Sequence, residues 1–350
     1  MECSACSRVT PIEDRGIVTV RSADPAVQHR INGQAGTGSA SSPGSFRYNS
    51  QEELLGRLHE LQRIFSAEER DEVQLTIAGL GGKSESRPSA VSLNHFFARL
   101  ENHSLVQLIM KAEFTSHMQP IVDMETGSIF AYEFLLRAAE DGPSFQPYQL
   151  FQTAQATGLH SFLDRAARIS AIEVSARHLS PGTKRFVNFL PSSIYNPNYC
   201  LSHTFAAIDR CSLDPADFVF EVVETERIED IAHLRSIFQV YREHGMKVAL
   251  DDVGSGFSTL EVLTALQPDF VKIDRGLVDR CDQDEGKQER IREILKRAAS
   301  FGASVLAEGM ERREEWEYCR SAGIRLAQGY LLGKPAAAPL GDGARPASWL

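Results

Sequence analysis

The stretch Lys247–Thr259, KVALDDVGSGFST, decides the fold of this chain. An apolar run leads into two adjacent carboxylates, Asp251 and Asp252, and a turn with two glycines follows. Because neighbouring side chains of a strand point to opposite faces, both aspartates can serve one site only where the strand ends. We therefore predict a strand that ends in a glycine-rich turn. Adjacent buried carboxylates repel each other, so a divalent cation is the expected partner; the alternative is a solvated DDxG turn.

Strand-like segments alternate with helical patterns on both sides of this stretch. Gly245, Gly302 and Gly323 each follow a helical pattern directly, which is typical of helix C-termini. Repeated βα units of this kind predict a (β/α)8 barrel of the TIM type. The eight predicted strands are His117–Val122, Ser128–Leu135, Lys184–Leu190, Asp217–Val223, Met246–Asp251, Asp269–Ile273, Ala303–Ala307 and Arg325–Leu331.

The first two of these strands are too close for a helical crossover. Only Asp123–Gly127 separates them, so they should form an antiparallel hairpin. The predicted fold class is therefore α/β, a modified barrel with one antiparallel strand, preceded by a small N-terminal α/β module.

Polar side chains mark the carboxyl ends of the predicted strands, where barrels carry their functional residues. Lys272 and Asp274 are two residues apart, so we expect them to share the inward face. Oxygen ligands without histidine suit Mg²⁺ or Mn²⁺, and a cage of this size has room for two ions. Two such ions would activate a water and neutralise a phosphodiester, while Lys272 orients that water or stabilises developing charge. The candidate residues are Glu133, Asn188, Glu221, Glu224, Asp251, Asp252, Lys272, Asp274, Glu308 and Gln328.

The N-terminal residues differ in character from the rest of the chain. Residues 33–44 are a flexible small-residue segment, and Gln51–Phe65 has the apolar spacing of a helix packed on a small sheet. The predicted organisation is a regulatory module over residues 1–85, a helical connector over 86–111, the barrel over 112–337 and a flexible tail over 338–350.

Composition narrows the class of protein. The chain has 350 residues, of which 42% are hydrophobic, and a formal net charge of −10, which argues against a nucleic-acid polymer as partner. It shows neither an apolar run of membrane-spanning length nor a secretory signal, so we expect no membrane partner and a cytoplasmic location. Its cysteines should then be free thiols. Cys3 and Cys6 form a CxxC pair, which could supply half of a zinc site, but no second CxxC or HxxxH motif follows it.

At this point eight motifs, in order, resemble those of one known family. The matching segments are Gln119–Val122 (QPIV), Tyr132–Arg137 (YEFLLR), Val187–Asn188 (VN), Glu221–Glu224 (EVVE), Asp251–Leu260 (DDVGSGFSTL), Val271–Asp274 (VKID), Ala307–Glu311 (AEGME) and Gln328–Pro335 (QGYLLGKP). From about residue 112 to 337 the chain resembles the EAL domain, the cyclic-di-GMP phosphodiesterase domain of bacterial signalling proteins.

The resemblance implies a metal-dependent hydrolase that converts cyclic-di-GMP to linear pGpG, with Mg²⁺ or Mn²⁺ as cofactor. Four residues resemble, by position, the ligands of a first metal: Glu133, Asn188, Glu221 and Asp251. Asp252, together with the neighbouring carboxylates, resembles the site of a second metal. Glu308 and Lys272 resemble residues that bind metal or position the catalytic water, and Glu224 an acid that holds the loop Val253–Ser258. The resemblance implies that Gln119 and Arg137 contact the dinucleotide and that Gln328 lines the site. Asp274 is a further candidate for substrate binding. A homodimer through the barrel domain is left open.

The signature Glu-Ala-Leu of that family is Glu133-Phe134-Leu135 here. If Phe134 points away from the barrel axis, it packs under a helix; if it crowds its neighbours, it displaces Glu133. Some family members bind the dinucleotide without cleaving it, or bind proteins. The alternative to an active phosphodiesterase is therefore a weak or inactive cyclic-di-GMP receptor or protein-interaction regulator.

Overall fold

A computed structural model of the protein describes residues 12–34, 44–80, 90–222, 230–254 and 260–340. The chain divides into two compact units, the first comprising Met1–Glu113 with Phe145–Leu163 and the second Phe114–Ser144 with Asp164–Leu350. Among the described residues, no helix combines the length and the apolar character that a membrane span requires. Most of the predicted small-residue segment over 33–44, the start of the predicted connector, the CxxC pair and the end of the predicted tail lie outside the described residues.

The first unit is built on a four-stranded antiparallel sheet in the order β2-β1-β3-β4. Its strands are β1 (Gly16–Arg21), β2 (Ser45–Tyr48), β3 (Gln74–Gly79) and β4 (Val91–Ser92). Its helices are α1 (Pro25–Gln34), α2 (Gln51–Ile64), α3 (Ala67–Glu72), α4 (Leu93–Glu101), α5 (His103–Lys111) and α6 (Pro147–Ala156).

Helix α2 packs its apolar face on this sheet, as its leucine spacing predicts. Ser50 caps the helix by accepting a hydrogen bond from Glu53 N–H. Leu54, Leu58 and Leu61 are buried in one cluster with side chains of β1 and β2. The small N-terminal α/β module is therefore present.

The predicted helical connector over 86–111 contains two helices, α4 and α5. The break lies at Asn102, whose backbone has φ −108° and ψ 30° and which follows α4 and precedes α5. Its side-chain amide donates to Ala98 O at 2.9 Å and so competes for the helical acceptor.

The second unit contains a closed eight-stranded barrel in the order β10-β11-β12-β5-β6-β7-β8-β9. Strand β5 is antiparallel to both of its neighbours, and every other neighbouring pair is parallel. The predicted barrel and its antiparallel hairpin are confirmed. The strands are β5 (Phe114–Asp123), β6 (Ile129–Ala138), β7 (Lys184–Phe189), β8 (Phe218–Val222), β9 (Lys247–Val253), β10 (Phe270–Ile273), β11 (Ser304–Ala307) and β12 (Leu326–Gln328).

Helices cover the outside of the barrel. They are α7 (His160–His178), α8 (Pro197–Cys200), α9 (Ser202–Arg210), α10 (Ile231–Glu243), α11 (Leu260–Leu266), α12 (Arg275–Val278), α13 (Glu285–Ala299) and α14 (Arg313–Ser321). Gly245, Gly302 and Gly323 adopt positive φ just after α10, α13 and α14, which confirms their assignment as helix C-termini.

The last strand is shorter than predicted. It ends at Gln328 and not at Leu331. The segment beyond it bonds to the loop after β11, since Leu331 N–H donates to Met310 O at 3.1 Å. That contact takes the backbone out of the barrel ladder.

Candidate functional site

One layer of apolar side chains plugs the barrel interior, and each strand contributes one of them. The layer consists of Ile121, Ala131, Phe186, Val219, Ala249, Phe270, Leu306 and Leu326. Because side chains alternate along a strand, residues two positions nearer the mouth point the same way. Those residues are Glu133, Asn188, Glu221, Asp251, Lys272, Glu308 and Gln328 on the parallel strands, with Gln119 on β5. The polar layer therefore lies directly on an apolar floor.

A β-bulge brings the two adjacent aspartates to one side of strand β9. Between paired positions, β9 has one residue more than β10, since the pairs are Val271 with Leu250 and Ile273 with Val253. Asp252 has φ of 52°, and its N–H donates to Asp251 Oδ1 at 2.9 Å. An inserted residue interrupts the alternation, so both carboxylates can face one site. The prediction that the strand ends at the aspartates is wrong, because it continues to Val253.

Gly254 follows the bulge at φ 105°, where a side chain would be strained. A Cβ atom there would lie 2.1 Å from Leu277 Cδ1. The side chain of Leu277 thus approaches the backbone of this glycine closely, whereas Gly256 lies outside the described residues.

Lys272 is the cationic centre of the polar layer and is only 1% exposed. Its Nζ lies within ion-pair distance of four carboxylates: 2.7 Å from Glu308 Oε1, 2.8 Å from Glu221 Oε2, 3.1 Å from Asp251 Oδ2 and 3.7 Å from Glu133 Oε1. One ammonium group thus faces four carboxylates. The layer carries an excess of negative charge, which is costly in a buried site without further cations.

Amide side chains fix the orientation of Glu133. Asn188 Nδ2 donates to Glu133 Oε1 at 3.1 Å, and Gln328 Nε2 donates to Glu133 Oε2 at 2.5 Å. Gln328 Nε2 also lies 3.0 Å from Gln119 Oε1, and Gln119 Nε2 donates to Gly333 O at 3.1 Å. These bonds join four strands of the barrel around one carboxylate.

The charges perturb one another strongly. Burial raises the pKa of Glu221 and of Glu308 well above the usual range; nearby carboxylates add to the rise, and Lys272 opposes it. For Glu133 the effect of burial is outweighed by Lys272 and by the amides of Gln328 and Asn188, so its pKa is lowered. Burial alone would lower the pKa of Lys272, but the surrounding carboxylates raise it well above normal. Carboxylates this close together favour proton sharing or cation binding.

The donor set fits a divalent metal ion. Carboxylate oxygens of Asp251, Asp252 and Glu308 lie within 4.8 Å of one another, close enough to hold one ion. Oε1 of the fully buried Glu221 and Oε1 of the buried Gln328 accept no hydrogen bond from the described residues. Carboxylate and amide oxygens are the ligands that Mg²⁺ and Mn²⁺ prefer.

Two predicted substrate-binding residues lie away from Lys272. Asp274 is past the end of β10, where its Oδ1 accepts from Gly276 N–H at 2.8 Å and caps α12. Arg137 is four residues beyond Glu133 on β6, nearer the mouth, and its Nη1 donates to Leu136 O at 2.7 Å. Glu224 and most of the loop Val253–Ser258 lie outside the described residues.

Sequence reasoning missed a buried clamp behind Asn188. Asp164 on α7, only 3% exposed, accepts from Leu190 N–H at 2.9 Å and from the hydroxyl of Ser193. It also pairs with Arg168 at 2.7 Å. These bonds hold the backbone just after Asn188. An Asp–Arg pair four residues apart on an otherwise apolar helix face is the signal that could have pointed to the clamp.

Comparison with known proteins identifies similar sequences and structures. The model of the EAL domain matches residues 102–335. "Cyclic di-GMP phosphodiesterase PdeL" of Escherichia coli K12 is 27% identical over 251 residues, which are 71% of this chain and 66% of that protein. "Blue light- and temperature-regulated antirepressor BluF" of the same organism is 30% identical over 216 residues, covering 61% of this chain and 52% of that protein.

Among solved structures, a standalone versatile EAL protein from Vibrio cholerae O395, in its c-di-GMP-bound form, is 33% identical. The two structures superpose with a TM-score of 0.58, and the matched region covers 64% of this chain and 93% of the Vibrio cholerae chain. Against the two curated relatives, this chain spans from about half to two thirds of their length.

Proposed function

Because this chain belongs to the EAL domain family, we propose that it is a metal-dependent phosphodiesterase that hydrolyses cyclic-di-GMP to linear pGpG and so lowers the level of this bacterial second messenger. The observation that carries the proposal is the complete polar layer around Lys272, in which four carboxylates face a single ammonium group. A relative named as a cyclic di-GMP phosphodiesterase supports it.

The cofactor we propose is Mg²⁺ or Mn²⁺, with two ions per site. Glu133, Asn188, Glu221 and Asp251 would hold the first ion, and Asp252 with Asp251 and Glu308 the second. Bound ions of this kind neutralise a phosphodiester and lower the pKa of water. The apolar floor beneath these residues closes the barrel from below, so that substrate and water would reach the site from the mouth of the barrel.

The protein's own side chains would prepare the site for this chemistry. Lys272 holds the carboxylates together and presents positive charge where charge on the phosphoryl oxygens develops. Glu308, whose Oε1 is 2.7 Å from Lys272 Nζ, would help to position the attacking water. Glu224 is proposed to hold the loop Val253–Ser258 that follows the bulge.

The dinucleotide would enter from the mouth of the barrel. Gln119 and Gln328 lie at the wall, joined by a hydrogen bond of 3.0 Å. Arg137 lies further out on the same strand as Glu133, with its guanidinium suited to a phosphate. Asp274 is the fourth proposed contact, although its Oδ1 already accepts from Gly276 N–H.

The second candidate function is a cyclic-di-GMP receptor or protein-interaction regulator without turnover. Two observations favour it: Phe134 replaces the alanine of the family signature, and a relative at 30% identity is named as an antirepressor. The position of Phe134 argues against the first of these observations. Its ring is buried between the barrel strands and the outer helices, in a cluster that includes Ile172 of α7, away from the polar layer.

The test is incubation of the purified full chain with cyclic-di-GMP and Mg²⁺ or Mn²⁺, followed by chromatographic separation of products. We expect linear pGpG in wild-type protein and none from Glu133→Gln. Glu173→Gln is the matched control, because Glu173 is an exposed carboxylate that pairs with Arg210 on the outside of the barrel. Tight binding of the dinucleotide with no product in either metal would select the receptor.

A further inference from the structure

Two buried thiols lie in contact outside the polar layer. Cys281 Sγ and Cys319 Sγ are 3.8 Å apart, and both residues are 0% exposed. Cys281 opens a short 3-10 turn that follows α12, and Cys319 lies on α14. The two residues come from segments that follow different barrel strands, so their contact is made by the fold and not by local sequence.

The hydrogen bond between the thiols makes them chemically unequal. Either sulfur can donate this bond; with Cys319 as the donor, it lowers the pKa of Cys281 and raises that of Cys319. A thiol with a lowered pKa is the better nucleophile toward an oxidant, and its neighbour is then placed to resolve the product.

The carboxylate of Glu315 connects this pair to the loop after β11. Glu315 is 1% exposed and accepts backbone N–H bonds from Arg280, Glu311 and Arg312, each at 3.0 Å. Arg280 directly precedes Cys281, and the loop that contains Glu311 begins at Glu308 of the polar layer. One carboxylate therefore links the Cys281 turn to that loop through hydrogen bonds.

We propose that Cys281 and Cys319 form a reversible disulfide when the protein meets a peroxide. The Cys281 thiolate attacks the peroxide, so that an S–O bond forms, the O–O bond breaks and hydroxide leaves as water. Cys319 then attacks the oxidised sulfur, so that the S–S bond forms, the S–O bond breaks and a second water leaves. Two thiols and one hydrogen peroxide thus give one disulfide and two waters.

The turn that carries Cys281 is suited to the movement that this requires. A disulfide needs an S–S distance of about 2.05 Å, so the sulfurs must approach from 3.8 Å. Arg280, on one side of Cys281, is exposed and has φ of 54°, and Gln283 at the end of the turn is exposed too. Short exposed turns open locally at low cost, which gives a small oxidant access to the thiol beneath.

The disulfide should slow the reaction at the mouth of the barrel, a consequence that rests on the proposed function. Because Glu315 and Cys319 both lie on α14, drawing Cys281 toward Cys319 changes the geometry of the bond between Arg280 N–H and Glu315, and so disturbs the loop that starts at Glu308. A displacement of about 1 Å in a catalytic site can cost on the order of a hundredfold in rate. We expect turnover of the oxidised protein to fall by roughly tenfold or more, and a thiol reductant to restore it.

The experiment uses the full chain with Cys3→Ser and Cys6→Ser, which removes the CxxC pair as a competing disulfide. After hydrogen peroxide treatment, free thiols are blocked in denaturant and the protein is digested for mass spectrometry. The expected result is one linked peptide pair containing Cys281 and Cys319 that disappears after reduction. Cys319→Ser should give no link and retain turnover after peroxide, whereas the Cys200→Ser control should behave as its parent.

The outcomes separate this inference from the proposed reaction. The absence of a Cys281–Cys319 link, with sulfinic acid or unmodified thiols instead, overturns the proposed disulfide even in an active enzyme. A link that forms without changing turnover overturns the coupling through Glu315. If the protein has no phosphodiesterase activity, the link is still measured by mass, and its effect is followed as a change in cyclic-di-GMP affinity. Thermal melting of Cys319→Ser checks that the variant is folded.

Discussion

Lys272 Nζ lies 2.8 Å from Glu221 Oε2, and the two side chains are 1% and 0% exposed. Lys272→Met should therefore leave Glu221 and its neighbours without a counter-ion. Breaking a buried pair in this way typically costs about 3–5 kcal/mol in the free energy of unfolding. Saturating Mg²⁺ should recover much of that loss, because a cation bound only by the folded state stabilises it. Urea unfolding with chelator and with Mg²⁺ measures both effects.

The matched control for that variant is Lys247→Met. Lys247 pairs with Asp269 at 3.0 Å but is 55% exposed, and exposed pairs contribute little to stability. Its unfolding should change little and should show the same response to Mg²⁺ as wild type. An equal Mg²⁺ response in Lys272→Met and wild type would contradict the proposed charge balance.

Phe134→Ala tests whether the altered signature residue is structural. Phe134 is 3% exposed and belongs to the cluster between strands and helices, facing away from Glu133 on β6. Removing a buried aromatic ring should lower the free energy of unfolding by about 3–5 kcal/mol through the cavity it leaves. Specific activity of the folded fraction should change little. Melting temperature and turnover, measured on the same preparation, decide the matter: a large gain in rate without loss of stability would mean that Phe134 distorts the site.

Much of the polar layer could be predicted because strand periodicity is a local property of sequence. Glu133, Glu221 and Lys272 each lie two residues beyond an apolar plug residue on their own strand. A period of two therefore places all of them on the inner wall once eight strands are recognised. The short spacing between the first two strands likewise predicted the antiparallel hairpin.

The missed features depend on partners that are distant in sequence. The bulge at Asp252 is defined by the register of β9 against β10, which the residues of β9 alone do not determine. The bond between Ser193 and Asp164 joins residues 29 apart, and that between Cys281 and Cys319 joins residues 38 apart. Such contacts follow from packing of helices on the barrel. The Asp164–Arg168 pair on α7 is a local signal of a buried charge, but it does not identify Ser193 as a partner.

Asp217 should make stability depend on pH at the end of the barrel away from the polar layer. It pairs with Lys184 at 3.0 Å and with the buried Arg185 at 3.2 Å, and accepts from Gly182 N–H at 2.8 Å. Burial raises its pKa, but the Gly182 N–H and these cations outweigh burial, so the pKa is lowered. Because the folded-state pKa is the lower one, the stabilisation is complete above the unfolded value of about 3.9 and is lost as pH falls below it.

Urea unfolding of wild type and Asp217→Asn between about pH 7 and pH 3 measures this contribution. The free-energy difference between them should be constant down to about pH 5 and should shrink below that. Asp282→Asn, which removes a partly exposed carboxylate paired with Arg312, serves as the comparison. A difference that stays the same at every pH would show that Asp217 contributes by shape or hydrogen bonding alone.

Ser193→Ala should weaken metal binding without removing a ligand. The Ser193 hydroxyl donates to Asp164, which also accepts from Leu190 N–H at 2.9 Å, so the two bonds hold the chain just after Asn188. Asn188 in turn orients Glu133 through a bond of 3.1 Å. Loss of residues that support metal ligands typically lowers metal affinity by about 10–100-fold. Ser193→Ala removes only one of the two bonds to Asp164, so we expect a loss of affinity at the lower end of that range. Direct Mn²⁺ titration should therefore show weaker binding, and turnover should recover at saturating metal.

Ser202→Ala is the control for Ser193→Ala, since it also removes a donating hydroxyl, one that bonds to Tyr199 O at 2.6 Å at an exposed position. It should leave metal affinity unchanged. Ser193→Thr keeps the hydroxyl and should restore most of the affinity if the added methyl group is accommodated, as checked by its melting temperature. If Ser193→Ala is folded and titrates with Mn²⁺ like wild type, the clamp has no part in metal binding. Glu133 would then be positioned by Gln328, whose Nε2 lies 2.5 Å from Glu133 Oε2, and Asn188 would need no support from α7.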